Sequence, residues 1–90
     1  MDAIELAPEV AQDQREIVFR LAAERREVVC AIMREALEEH FWLPNTADQL
    51  RMLKVFADGR RRILAVAERK SRLHRGEFIR LTADDFRLKR

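Results

Sequence analysis

The chain is poor in the residues that punctuate and cross-link small proteins. Its 90 residues include two Gly, two Pro, one Cys, one Trp and no Tyr. A lone cysteine, Cys30, excludes an internal disulfide, and without a Cys-x-x-Cys pair there is no zinc-ribbon or dithiol redox motif. Neither glycine lies in a phosphate-cradling loop. No apolar run approaches the roughly 20 residues that cross a bilayer. The opening Met-Asp-Ala-Ile-Glu-Leu lacks a basic segment followed by an apolar one, so it does not read as a secretory signal. The expectation is a reduced, cytoplasmic protein with no membrane association.

Charge is plentiful but divided. Residues 1–50 carry five Arg against eleven Asp or Glu, and residues 51–90 carry thirteen Lys or Arg against five Asp or Glu. The whole chain is only +2. Such asymmetry marks a nucleic-acid or anion surface, or two halves that attract each other. The length fits one small domain over residues 1–90, and its Leu, Ile, Val and Phe suffice for collapse. The acidic residues 1–14, interrupted by Pro8, read as a loosely docked arm.

From residue 15 the pattern is double. Ile17, Phe19 and Leu21 alternate with Glu16, Val18 and Arg20, and Val28, Cys30 and Ile32 alternate with Val29, Ala31 and Met33. That rhythm suggests a hairpin. The connector Ala22–Arg26 has no Gly, Asn or Pro and consists of good helix formers, so a helix stays open over the same residues. Arg34–Phe41 is helix-like, and Pro44-Asn45 breaks it. Thr46-Ala47-Asp48-Gln49 fits a capping box for a long helix running to about residue 73, with a bend at Gly59. Glu77–Leu81 reads as a strand, and Thr82 as the cap of a last short turn ending at Phe86.

On that long helix Leu53, Phe56, Ile63, Leu64 and Ala67 share one side, widened by Met52, Val55 and Val66. Arg51, Lys54, Arg61, Arg62, Arg69 and Arg72 lie opposite, with Asp58 and Glu68 among them. This basic stripe is either a solvated face laced by i,i+4 pairs or an anion surface formed by Arg61, Arg62, Arg69, Arg72 and Arg75. No aromatic residue interleaves it, so single-stranded bases have no stacking platform there. Arg60 falls on the apolar side of a continuous helix and would need a carboxylate, carbonyls or an escape to water.

Other chemistry is sparse. His40 and His74 lack metal-ligand spacing, and Glu35, Glu38 and Glu39 beside His40 read as a solvated helix face. Cys30, between Val29 and Ala31, looks like a small buried hydrophobe rather than a nucleophile. Asp84-Asp85 suits the first turn of a helix. No catalytic residue, metal site or cofactor site emerges. Phe41-Trp42-Leu43-Pro44 is the one aromatic cluster, either an anchor for the turn or, through Phe41 and Trp42, a partner patch.

Two stretches carry a family resemblance. One is Val28–Ile32 leading into Arg34–Phe41. The other is Phe56 through Arg60 and Ile63, then Ala67, Lys70, Gly76, Leu81 and Asp85-Phe86. In these the chain resembles a small bacterial family, domain of unknown function 1488. It departs from the family pattern at Met33, where a capping Ser is usual, at Gly59, where Asn is usual, and at Ser71, where an aromatic is usual. The resemblance implies an α+β fold and no activity. It tips residues 15–41 toward strands. The expected order is β-β-α-α-β, with three antiparallel strands near 16–22, 27–32 and 77–81, and the alternative is an all-α helical hairpin. The exposed edges of a small sheet make a homodimer one expected assembly. The expected function is a non-enzymatic accessory or regulatory protein working through protein contacts. The alternative is a nucleic-acid- or anion-binding module using the basic face of the 46–73 helix.

Overall fold

The structure, a computed structural model, describes residues 8–23, 26–73 and 78–87. The strand reading of residues 15–33 holds. β2 (Glu16–Ala23) and β3 (Arg26–Met33) form an antiparallel hairpin in which Ile17 faces Ile32, Phe19 faces Cys30 and Leu21 faces Val28. Period-two alternation puts all six on one side of the sheet, where they are fully or almost fully buried.

The sheet has four strands rather than three, in the order β1-β2-β3-β4. β1 (Glu9–Val10) pairs antiparallel with Val18 and Ile17, so the described part of the acidic arm is joined to the sheet edge. β4 (Phe78–Leu81) pairs with β3 in parallel, which corrects the all-antiparallel expectation. The physical reason is the connection. The chain leaves β3 directly into helices and crosses the sheet before returning, and such a crossover delivers the next strand in the same direction.

Those helices are α1 (Arg34–His40), α2 (Gln49–Asp58) and α3 (Arg60–Leu73). The expected long helix is interrupted at Gly59, although Gly59 N–H donates to Val55 O and Ile63 N–H to Gly59 O, both at 3.0 Å. The cap also differs from expectation. Asp48, not Thr46, accepts the Arg51 N–H at 2.9 Å, because the turn before it is already closed by Ala47 N–H to Pro44 O. Met33 caps α1 without a side-chain bond. Thr82 opens a 3-10 turn over Ala83–Phe86, as its sequence suggests.

The helices cover one face of the sheet. Phe56 meets Phe19 at a ring separation of 5.2 Å, and Met52, Ile63, Ala67 and Leu37 complete the core with Ile79, Leu81 and Phe86. Burying a side chain such as Phe56 contributes roughly 2–3 kcal/mol. On the opposite face ion pairs lie over the strands. Arg80 Nε reaches Glu16 across β3 at 3.5 Å, and Arg20 reaches Glu27 at 3.6 Å. No helix among the described residues is long and apolar enough to cross a membrane.

Candidate functional site

The end of α1 sets the geometry of the aromatic cluster. Phe41 N–H donates to Leu37 O at 3.0 Å, and Leu43 N–H returns to the same carbonyl at 3.1 Å. Between them Trp42 takes a left-handed conformation with φ of 61°. Glycine usually occupies such a helix stop, because a Cβ there crowds the backbone. The turn throws the three side chains apart. Leu43 is buried in the core, Phe41 is half-buried, and Trp42 is 87% exposed. The two residues expected to share a partner patch therefore divide the work.

Phe41 is a structural anchor. Its ring meets Phe86 edge-on at 5.3 Å and 84°. Arg62 lies over it at 4.9 Å and over Phe86 at 5.7 Å, while its Nη1 donates to His40 O at 3.3 Å. Arg62, expected on the anion surface, is thereby engaged in holding α3 to the end of α1. His40 supports the same corner, since its Nε2 donates to Ala83 O at 2.9 Å. Lys70 closes the other end of α3. Its ammonium donates to Arg80 O at 2.7 Å and to Asp85 Oδ2 at 2.9 Å, and Asp85 also accepts from Thr82 N–H at 2.8 Å. Burial works to raise the Asp85 carboxyl, but the Thr82 amide and the Lys70 cation outweigh it and hold it below its ordinary 3.8.

The turn after Trp42 rests on an arginine that sequence reasoning passed over. Arg34 Nη2 donates to Asn45 O at 3.1 Å and to Ala47 O at 2.8 Å. Nη1 donates to Gln14 O at 3.3 Å and lies 3.2 Å from Met52 Sδ, and Nε pairs with Glu38 at 3.0 Å. One guanidinium fork thus ties the β1–β2 turn, α1, the 44–48 turn and α2 together. The Arg34-to-Glu38 spacing is visible in the sequence. The carbonyl partners are not, because they depend on how two loops converge on α1.

The basic stripe survives in part. Arg51, Arg61, Arg69 and Arg72 are exposed, and none has an ion-pair partner among the described residues. Lys54 pairs with Asp58 at 3.4 Å. Arg75 and His74 lie outside the described residues. Arg60 is exposed rather than directed at the core, because the buried stripe runs through Met52, Phe56, Ile63 and Ala67, and Arg60 lies at its edge beside the half-buried Leu53 and Leu64.

Two shallow depressions flank the 44–48 turn. One, about 620 Å³, lies over Arg34 between Asp13, Glu35, Glu38 and Thr46. The other, about 580 Å³, is lined by Pro44, Ala47, Leu50, Arg51 and Lys54 together with Thr46 and Asp48. Among the described residues no group of three His, Cys, Asp or Glu is placed to hold a metal ion. Cys30 is fully buried, and burial pushes its thiol up to about 11.

The family-pattern residues fall mainly on this scaffold. Phe41, Phe56, Ile63, Ala67, Leu81 and Phe86 lie in or against the core, and Lys70 with Asp85 forms the clasp. No curated protein and no solved structure matches the chain. Its residues 5–79 match the family model described as Protein of unknown function (DUF1488), and the chain belongs to that family.

Proposed function

We propose that this is a non-enzymatic accessory or regulatory protein of the bacterial cytoplasm, which acts by docking on a partner protein through Trp42. The observation that carries this reading is the conformation of that residue. A left-handed backbone costs a non-glycine residue about 1–3 kcal/mol. Here it holds the largest side chain in the molecule 87% exposed to water, on a mount fixed by Phe41 and Leu43. Glycine would serve the turn better, so the indole is the reason for tryptophan. A rigid, amphipathic ring of this kind is a typical centre of a protein interface.

Replacing it separates fold from function. Trp42→Gly should raise stability by about 0.5–1 kcal/mol, strain relief being partly offset by the entropy of the unfolded glycine. Tagged full-length chain should capture a specific partner from its host lysate, and Trp42→Gly should lose it. Undiminished capture by Trp42→Gly, or no specific partner for the wild type, overturns the reading.

A second reading rests on Arg61, Arg69 and Arg72, which lie exposed along about 16 Å of α3 around the small Ala65. Three such cations suit the phosphate backbone of a nucleic acid. Engagement of three phosphates would weaken binding about 40-fold between 50 and 200 mM salt. An absence of duplex or single-strand binding at about 50 mM salt removes this reading.

A further inference from the structure

Beside Trp42 the molecule presents a surface whose chemistry is more specific than a general docking site. Pro44, Ala47 and Leu50 form an aliphatic floor, and Leu50 is 78% exposed at its edge. Arg51 and Lys54 rise along one side. Trp42 precedes Pro44 by two residues, so their Cα atoms are no more than about 7.6 Å apart. Leu50 and Lys54 are four residues apart on α2 and therefore share one face of the helix. Aliphatic floor and cations thus line one depression, and Trp42 lies two residues along the chain from its Pro44 wall.

We infer that this surface takes an acidic peptide segment of a partner protein, with a bulky apolar side chain seated on the floor. The inference rests on the reading of Trp42 as the docking residue. Charge supplies the first argument. Arg51 has no ion-pair partner among the described residues, and Lys54 has only the exposed Asp58 at 3.4 Å, a pair readily exchanged for an incoming carboxylate. The one carboxylate lining the depression, Asp48, is committed to the Arg51 N–H at 2.9 Å. The lining therefore carries two cations against one carboxylate and is net positive toward an arriving ligand.

Preorganisation supplies the second. The floor does not have to be ordered on binding, since Arg34 holds Asn45 O and Ala47 O, and Ala47 N–H closes on Pro44 O at 3.0 Å. Such a floor spends less of the binding energy on ordering. The aliphatic character of Pro44, Ala47 and Leu50 argues against a nucleic-acid strand here. Successive bases need successive aromatic platforms, and Trp42 is alone.

The test is selection of binding peptides by the full-length chain from a random 12-residue display library. The enriched peptides are then synthesised with a fluorophore and titrated by anisotropy. The expected peptides carry Asp or Glu around a Leu, Phe or Trp. Arg51→Glu/Lys54→Glu should weaken them about tenfold or more, and moderate salt should weaken the wild-type complex. Both positions are exposed, and circular dichroism with thermal melting confirms that the variant is folded. No enrichment, enriched peptides without acidic residues, unchanged affinity in Arg51→Glu/Lys54→Glu, or displacement of the peptide by an oligo-dT 30-mer overturns the inference. Loss of binding in Trp42→Ala with none in the double variant sinks only the acidic segment and leaves Trp42 as a docking residue. Full binding by Trp42→Ala sinks both.

Discussion

Gly59 lies so close to Phe41 that a Cβ on it would meet the ring at 2.5 Å. The glycine between α2 and α3 is therefore a packing requirement. Its φ of −100° is open to any residue, so what demands glycine is the neighbouring ring, fixed from its other sides by Arg62 and Phe86. An Asn at this position would strike the same ring unless Phe41 moved.

Gly59→Ala should destabilise the protein. Overpacking costs about 1–3 kcal/mol, and the better helix propensity of alanine offsets about 1 kcal/mol. A net loss of about 1 kcal/mol lowers the melting temperature by about 4–8 °C in a domain of this size. Combining it with Phe41→Leu should cost less than the sum of the two single changes, because the clash is shared. Strict additivity in thermal melts would contradict the packing account.

Arg34→Ala should be among the most damaging surface-proximal substitutions. It leaves the carbonyls of Gln14, Asn45 and Ala47 without their donor. Charge-assisted bonds of this kind are worth about 1.5–3 kcal/mol each in favourable settings, and water recovers part of the loss, so about 3 kcal/mol is expected. Arg34→Lys should restore less than half, since an ammonium cannot reproduce the planar fork. Urea denaturation measures both.

The Asp85–Lys70 clasp should give stability a defined acid limb. The Asp85 carboxyl is depressed when folded, so the unfolded chain binds its proton more readily. Its contribution is complete well above 3.8, the ordinary value, and is lost as pH falls through the lower folded value. Asp85→Asn should cost about 1–2 kcal/mol near neutrality. The gap to wild type should close below about pH 3.8 and remain constant from pH 5 to 8. A gap independent of pH throughout the acid range would remove the clasp from the ledger.

Cys30 should behave as a hydrocarbon. With its thiol buried and raised to about 11, it should not react with a disulfide reagent at pH 8 until the chain unfolds. Labelling kinetics that follow the unfolding rate are the expected result, and rapid labelling of the folded chain contradicts the buried position.

What could be read in advance was local. Alternation at Ile17, Phe19 and Leu21 and at Val28, Cys30 and Ile32 fits two strands and their inner face, but the helix-forming connector leaves a helix open over the same residues, and it is the family resemblance that tips them to strands. The same alternation at Ile79 and Leu81 gives the face of β4 but not its direction, which is set by how α1, α2 and α3 route the chain. The capping-box spacing points to Thr46, and the structure uses Asp48 instead, since Thr46 lies inside the turn that Ala47 N–H closes on Pro44 O. Arg60 looks inward when the apolar side is drawn through Leu53 and Leu64, but those two are only half-buried, and the buried stripe of Met52, Phe56, Ile63 and Ala67 leaves Arg60 at its exposed edge. Trp42 was visible as an unusual residue, but its separation from Phe41 depends on a single left-handed φ that no periodicity records.

The parallel pairing of β4 with β3 has a kinetic consequence. The β2–β3 hairpin pairs strands that are neighbours in the chain and can form early, whereas β4 can join Val29–Ile32 only after α1, α2 and α3 have been laid across the sheet. Closing that long excursion comes before any contact rewards it. β4 and its Lys70–Asp85 clasp therefore belong to the last part of the molecule to assemble. Changes there should speed unfolding while leaving the folding rate nearly untouched.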